Sequence, residues 1–340
     1  MLILRPCRMA DLPAVARMAA ASGIGITSLP ADRKQLGEKI ERSTHSFAAD
    51  AQANGDEQYF FVLENIASRE LVGTSALVAS AGIPEPFYSY RHEIIVHASQ
   101  ELGVSNQIHA LHLCHDLTGC SLLTSFYIDP ACANANWPQL LSRARLLFIA
   151  AHRQRFADKL AAEHPGVCDD AGRSPFWDAV GRRFFNIDYP QAERLSGGRS
   201  KTFIAELMPQ YPIYVPLLPE GARRAIGRLH ARAELPYSIL RAEGFEAGTY
   251  IDIFDGGPTV EARTATVRSI VASRTARARI GVPAAAATTQ PCIIANAGAV
   301  TFAATIAEVA IDAGNEVSLP ATIAGPLGLA DGGDVRLVPL

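Results

Sequence analysis

The stretch SLLTSFYIDPACANANWPQLLSRARLLFIAA, running from Ser121 to Ala151, decides the fold. Its first nine residues are rich in Leu, Phe, Tyr and Ile and stop at Pro130, which cannot donate to a ladder, so 121–129 reads as a strand. From Pro138 the apolar residues change period. Leu140, Leu141, Ala144, Leu147, Phe148 and Ala151 recur at helical spacing, and proline is tolerated in a first turn. Arg143, Arg145 and, just beyond, Arg153 fall on the side expected to face solvent. A strand feeding a long helix leaves free backbone N–H groups at the helix start, where anions are bound. This junction is therefore the expected ligand-binding point.

Upstream, residues 2–4 read as a strand ending at Pro6, and Asp11 as the cap of a helix carrying Leu12, Val15, Ala16 and Ala19 on one face. A second helix starts near Asp32, with Leu36, Ile40 and Phe47 inward and Arg33, Lys34, Glu38, Lys39 and Glu41 outward. Residues 58–64 and 71–79 form a hairpin. The span 80–121 reads as long and irregular, a kind of segment that is often functional.

Downstream, Ser174-Pro175 caps a short helix with Phe176, Val180 and Phe184 inward, and 202–207 reads as a strand. Four prolines within 208–219 exclude an ordinary helix or central strand. Helices follow near 220–229 and from Pro236 to about Glu243, the latter stopped by Gly244. The segment TYIDIFDGGPT is a strand entering a tight turn, with Tyr250, Asp252 and Phe254 on one face. The expected organisation is a mixed α/β region over 1–275 (core 1–208, extension 209–275), a linker over 276–290 and a small β-rich domain over 291–340. A length of 340 residues suits two domains.

Composition narrows the function. Hydrophobic residues make up 49% of the chain and charged residues 19%, below the roughly 25% of an average soluble domain. Such a chain either has a large core or has apolar surface covered by a partner. A net charge of −3 gives no positive field for nucleic acid. No apolar run approaches the roughly 20 residues that span a bilayer, and the N-terminus lacks the order of a signal peptide. Six cysteines without C-x-x-C spacing read as reduced thiols in a cytoplasmic protein. His109, His112 and His115, taken as helical, would not converge on one ion, so no metal is expected. Hydrolase elbow, P-loop and dinucleotide fingerprints are absent.

The segments TSLP (27–30), VHAS (96–99), SPFW (174–177), GRRFF (181–185), FIAELMP (203–209), PIY (212–214) and YIDIFDGGPT (250–259), in this order, resemble the arginine N-succinyltransferase family. The alpha-type chain of its two-subunit form is nearest in pattern, and the order of elements is similar to the GNAT acyltransferase fold. The resemblance implies an α/β, GNAT-like mixed sheet and transfer of a succinyl group from succinyl-CoA, a co-substrate, to the α-amine of L-arginine or L-ornithine. It implies no permanently bound cofactor, and a homologous beta chain as partner.

It also implies roles for single residues. His230, in Gly227-Arg228-Leu229-His230, matches the proton donor; a histidine at a helix end held by the dipole is the other reading. Phe126 and Ile128 lie on the strand that binds succinyl-CoA. Arg91, in a Tyr-Arg pair, either meets the succinyl carboxylate or is a solvated surface residue. Ser28 either lines the same cleft or caps the next helix. Asp116, in Asp116-Leu117-Thr118-Gly119, either shapes the acceptor pocket or makes an Asx-turn. Glu206, Asp252 and Asp255 are the carboxylates expected for the acceptor's guanidinium. One departure stands out. Where active relatives carry R-x-x-G-x-G, this chain has Ala133, Asn136 and Pro138 at the arginine and glycine positions, and proline has no N–H to offer a pyrophosphate.

Overall fold

In the computed structural model, residues 1–340 are described except 24–27, 51–54, 84, 197–205, 282–288 and 312–313. The strand β1 (Leu2–Pro6) pairs antiparallel with β2 (Gln58–Asn65), and β2 with β3 (Leu71–Val78). Successive residues of β2 point to opposite faces, and both faces are covered. Phe60 and Val62 pack with α1 (Leu12–Ser22) and α2 (Arg33–Ala48). Phe61 and Leu63 pack with α3 (Trp137–Ala151). A run buried on both faces is apolar throughout, and β2 reads that way. Asp32 caps α2, its carboxylate accepting from the Gln35 N–H at 2.8 Å, and Leu36, Ile40 and Phe47 are buried as the spacing requires.

The segment 80–121 is where the expectation fails. It folds into two eleven-residue strands, β4 (Ser89–Ser99) and β5 (Val104–Cys114), paired along their whole length. The near end of the hairpin is buried at Tyr90, Ala110 and Leu111, while the far end is exposed. A hairpin whose tip has no buried face carries no alternating pattern, so it reads as loop. His109 and His112 therefore sit on a strand, with His115 just past it, and not on a helix.

Next comes β6 (Ser121–Ile128), then α3 and β7 (Lys159–Glu163). The helices α4 (Pro175–Ala179), α5 (Gly181–Phe185) and α6 (Tyr189–Ser196) pack Phe176, Trp177 and Tyr189 against β4, β5 and the segment 251–254. Ser174 caps α4 as expected, accepting from the Trp177 N–H. Phe184, expected inward, is exposed, because the chain leaves helical geometry at Val180 and restarts at Gly181. The expected strand at 202–207 lies outside the described residues up to 205; Glu206 and Leu207 form an exposed turn. The chain continues through β8 (Ile213–Tyr214), α7 (Glu220–Ala225), α8 (Glu234–Ala242), β9 (Glu246–Ile251) and β10 (Pro258–Arg263).

The expected linker is also corrected at its start. Residues 274–280 form β11 (Arg274–Ile280), one stave of a barrel with β12 (Gln290–Asn296), β13 (Ala304–Ile311), β14 (Glu316–Leu319) and β15 (Asp334–Pro339). The pairings β12–β15–β11–β14–β13–β12 close on themselves. Arg-Ala alternation in ARARI hides the strand: only Ala276 and Ala278 face the barrel core. The barrel joins the main sheet where Leu4 pairs with Ala304.

α3 differs from expectation as well. It is covered on all sides, and Arg143 and Arg145 are 7% and 2% exposed. The helix lies between the sheet, α8 and the barrel, so no solvated face remains. Arg143 pairs with Glu243 at 2.9 Å and donates to the Pro339 carbonyl.

Candidate active site

The strands β6 and β7 run parallel and are in register only at Ser121–Leu160 and Leu122–Ala161. β6 then continues to Ile128 while β7 diverges and ends at Glu163. The gap opens into a cavity of about 450 Å³, walled by residues 122–128 on one side and 162–165 on the other. A pocket of this size suits a small-molecule ligand. Beyond Leu122 the backbone of β6 has no ladder partner on the β7 side, so it can bond an extended ligand as a strand would.

The wall is shaped by a bulge. Between the Thr74–Tyr127 and Ala76–Thr124 pairs the register with β3 shifts, and Ser125 takes φ +53°. That left-handed conformation is costly for serine. Three hydrogen bonds hold it there: Ser125 N–H donates to Ser28 Oγ at 2.9 Å, Ser125 Oγ donates to the Ser28 carbonyl at 2.9 Å, and Thr74 Oγ1 donates to the Ser125 carbonyl at 2.9 Å. Ser28 thus lines the cleft and fixes the bulge, where the sequence offered a cap as the alternative.

His230 lines the cavity from the far side. Its N–H donates to the Pro165 carbonyl at 2.9 Å, and its Nδ1 accepts from the Arg232 N–H at 3.2 Å. That leaves Nε2 for other chemistry. Burial, and secondly the charge of Arg232, lowers the His230 pKa, with Asp170 opposing. The ring is therefore neutral at neutral pH.

Asp252 and Asp255 also line the cavity, but in a turn and not on a strand, because β9 ends at Ile251. Asp252 Oδ1 accepts from the Phe254 N–H at 2.7 Å. Asp255 is 3% exposed and accepts from Gly166 N–H (2.7 Å), Gly257 N–H (2.8 Å) and Tyr189 Oη (3.1 Å). Burial, with the nearby Asp252 charge, raises its pKa to about 6 against those hydrogen bonds. The turn is tight enough that a Cβ on Gly257 would stand 2.2 Å from the His164 carbonyl oxygen, which accounts for the Gly-Gly-Pro sequence.

His230, Phe126, Ile128, Ser28 and Asp252 therefore share one cavity. Arg91, Asp116 and Glu206 are not among the residues that line it. Arg91 bonds Glu93 and Asp116 at the hairpin base, at 2.5 and 2.6 Å, and Tyr250 Oη donates to Asp116 at 3.3 Å. Glu206 is in the exposed turn. Sequence reasoning missed Arg145, Glu163, His164 and Tyr189, which all line the cavity. Only the burial of α3 could have pointed to Arg145, and helical periodicity does not report it. At the junction, Ala133 lines the cavity, Ala135 takes φ +56°, and Asn136 provides no side-chain cap to α3.

The family model described as arginine N-succinyltransferase beta subunit matches residues 2–269, and that described as its C-terminal domain matches 274–339. The chain is 52% identical over 338 residues to arginine N-succinyltransferase subunit alpha of Pseudomonas aeruginosa, covering 99% of each. It is 42% identical over 339 residues to subunit beta of the same organism, covering 100% of this chain and 98% of the other. Among solved structures, that of arginine/ornithine succinyltransferase subunit AI from P. aeruginosa superposes with a TM-score of 0.92 at 49% identity, covering 100% of this chain and 98% of that one. With full-length identity, a matching model for each of the two regions and one shared architecture, the chain belongs to the arginine N-succinyltransferase family.

Proposed function

We propose that the chain transfers a succinyl group from succinyl-CoA to the α-amine of L-arginine or L-ornithine, working with a homologous beta-type chain. The single observation that carries this is the splayed β6–β7 pair, with an open strand edge on one wall and His230 on the other. The pantetheine arm lies along β6 at Phe126 and Ile128, and backbone groups hold its amides. The free amine attacks the thioester carbon, so that a C–N bond forms as the carbonyl electrons move to oxygen. Collapse breaks the C–S bond and expels the CoA thiolate. The proton lost by the amine reaches sulfur through His230, at Nε2. The cavity carboxylates, Asp252 among them, suit the cationic end of the acceptor.

The partner reading is supported by the hairpin tip. Ile94, Val96, Leu102 and Val104 are 43% to 76% exposed there, with Ile94 and Val96 on one face of the hairpin and Val104 on the other, apolar surface of the kind a second chain covers. All six cysteines are unpaired, in keeping with a cytoplasmic setting. The net charge of −3 speaks against nucleic acid, and among the described residues no helix is long and apolar enough to cross a membrane.

A second reading, a non-catalytic subunit that stabilises the beta chain, is favoured by the start of α3, where Pro138 removes an N–H from the expected pyrophosphate cradle. Arginine-dependent CoA release, assayed for this chain, the beta-type chain and the pair, separates them. His230→Ala in this chain is expected to lower its share of turnover by about a hundredfold or more. Full turnover of the pair carrying His230→Ala would instead overturn the catalytic assignment of His230.

A further inference from the structure

The cavity contains a buried cation that no carboxylate of the described chain neutralises. Arg145 is 2% exposed and lines the cavity from α3. Its Nε donates to the Ser142 carbonyl and its Nη2 to Ser142 Oγ, both at 3.1 Å. Nη1 reaches the Ala76 and Thr124 carbonyls only at 3.4 Å. A guanidinium has five N–H donors, so its hydrogen-bonding capacity is not filled by these contacts. A buried charge without a counter-charge is expensive, and burial lowers the Arg145 pKa to about 9. Across the cavity, His164 is 6% exposed and its Nε2 is buried without a hydrogen-bond partner among the described residues. Burial, and secondly the Arg145 charge, brings the His164 pKa down to about 3, so the ring is neutral. The guanidinium carbon of Arg145 lies 5.8 Å from the ring of Phe126, the residue at which the donor is expected to lie.

We propose that Arg145, with His164 opposite, receives the terminal carboxylate of the succinyl group and thereby selects succinyl-CoA over neutral acyl donors. The proposal rests on the acyl-CoA reading of the cavity. A carboxylate supplies the missing negative charge and matches the planar fork of the guanidinium. Nε2 of His164 supplies a further donor to it. Arg91, the residue that sequence alone favoured for this task, is already engaged by Glu93 and Asp116. Arg145 could instead serve only to hold the carbonyls at the bulge, but that role would affect every acyl donor alike.

The test compares succinyl-CoA with butyryl-CoA, which has the same chain length and a methyl in place of the carboxylate. In the assembled enzyme, the ratio of kcat/KM for the two donors is expected to fall about a hundredfold in Arg145→Met, with partial recovery in Arg145→Lys. A ratio unchanged in Arg145→Met, with both donors declining together, overturns the proposal. Calorimetry on the unsubstituted protein gives a reading that needs no variant to fold and no turnover. Succinyl-CoA is expected to bind at least tenfold more tightly than butyryl-CoA, and equal affinities overturn the proposal. Binding of neither donor would overturn the acyl-CoA reading itself, a result distinct from equal binding.

Discussion

At the scale of single residues, the site depends on polar groups that water cannot reach. Asp255 ties the end of β7 to the turn after β9 through two backbone N–H groups and Tyr189. Asp255→Ala leaves three donors buried without an acceptor, and each such loss costs about 1–3 kcal/mol. We expect the variant to lose about 3 kcal/mol of stability in urea denaturation, with activity falling further than stability because His230 is bonded to Pro165, next to Gly166. A loss under 1 kcal/mol would mean that the turn is held by packing alone. From sequence this aspartate could equally have been an ordinary turn residue before two glycines. Its burial depends on Tyr189, 66 positions away.

At the scale of elements, α3 is the joint of the molecule. Its Phe148 packs on Phe61 and on Phe302 of the loop before β13, with ring centroids 5.4 and 5.1 Å apart. Its Arg143 joins Glu243, at the end of α8, and the Pro339 carbonyl of β15. Glu243 also accepts from the Ser269 N–H at 2.6 Å. Removing one partner of a buried ion pair strands the other, at a cost of about 3–5 kcal/mol. Glu243→Ala is thus expected to destabilise the fold by about that much, while a double Arg143→Met, Glu243→Met variant recovers most of the loss. A double-variant loss equal to the sum of the two single-variant losses would show that the two charges act independently. Nothing in the local pattern of α3 announces this, since an arginine between apolar residues reads as the solvated side of an amphipathic helix.

At the scale of the whole molecule, the barrel is packed against the core and not hung from it. Ile293, Ala295, Phe302 and Val338 belong to the same buried cluster as Leu4, Phe61 and Leu147, and Thr305 Oγ1 donates to the Leu2 carbonyl at 2.7 Å. Two histidines within this packed structure set its acid limit. His152 and His164 are held neutral, with pKa values brought down to about 4 and about 3, chiefly by burial. In the unfolded chain both would take protons near pH 6.5. Through these two histidines the unfolded state binds more protons than the folded state below that pH, which outweighs the one proton that Asp255, raised to about 6, takes up first in the folded state, so stability falls as the pH drops from about 6.5 toward 4. Urea midpoints are expected to decline over that window, and His152→Phe, which keeps the ring contact with Phe148 and removes one titrating group, is expected to flatten the decline. A pH dependence identical to that of the unsubstituted chain would show that His152 does not contribute.

The sequence by itself determined the elements whose signals are local: the strands at 58–64 and 71–79, the helix start near Asp32, the Ser174 cap, the change from strand to helix across 121–151, and the ordered segments that carry the family likeness. It also picked out His230, Phe126, Ile128, Ser28 and Asp252, which the fold brings to one cavity. Tertiary structure alone decided the rest. The β4–β5 hairpin has an exposed tip and so no alternation to read; β11 hides its core face behind arginines; Arg143 and Arg145 are buried because the barrel and the sheet cover a helix that looks half-solvated. The physical reason is common to these cases. Periodicity and capping report neighbours a few residues away, whereas burial of a charge, and with it the character of the site, is set by segments tens to hundreds of residues distant.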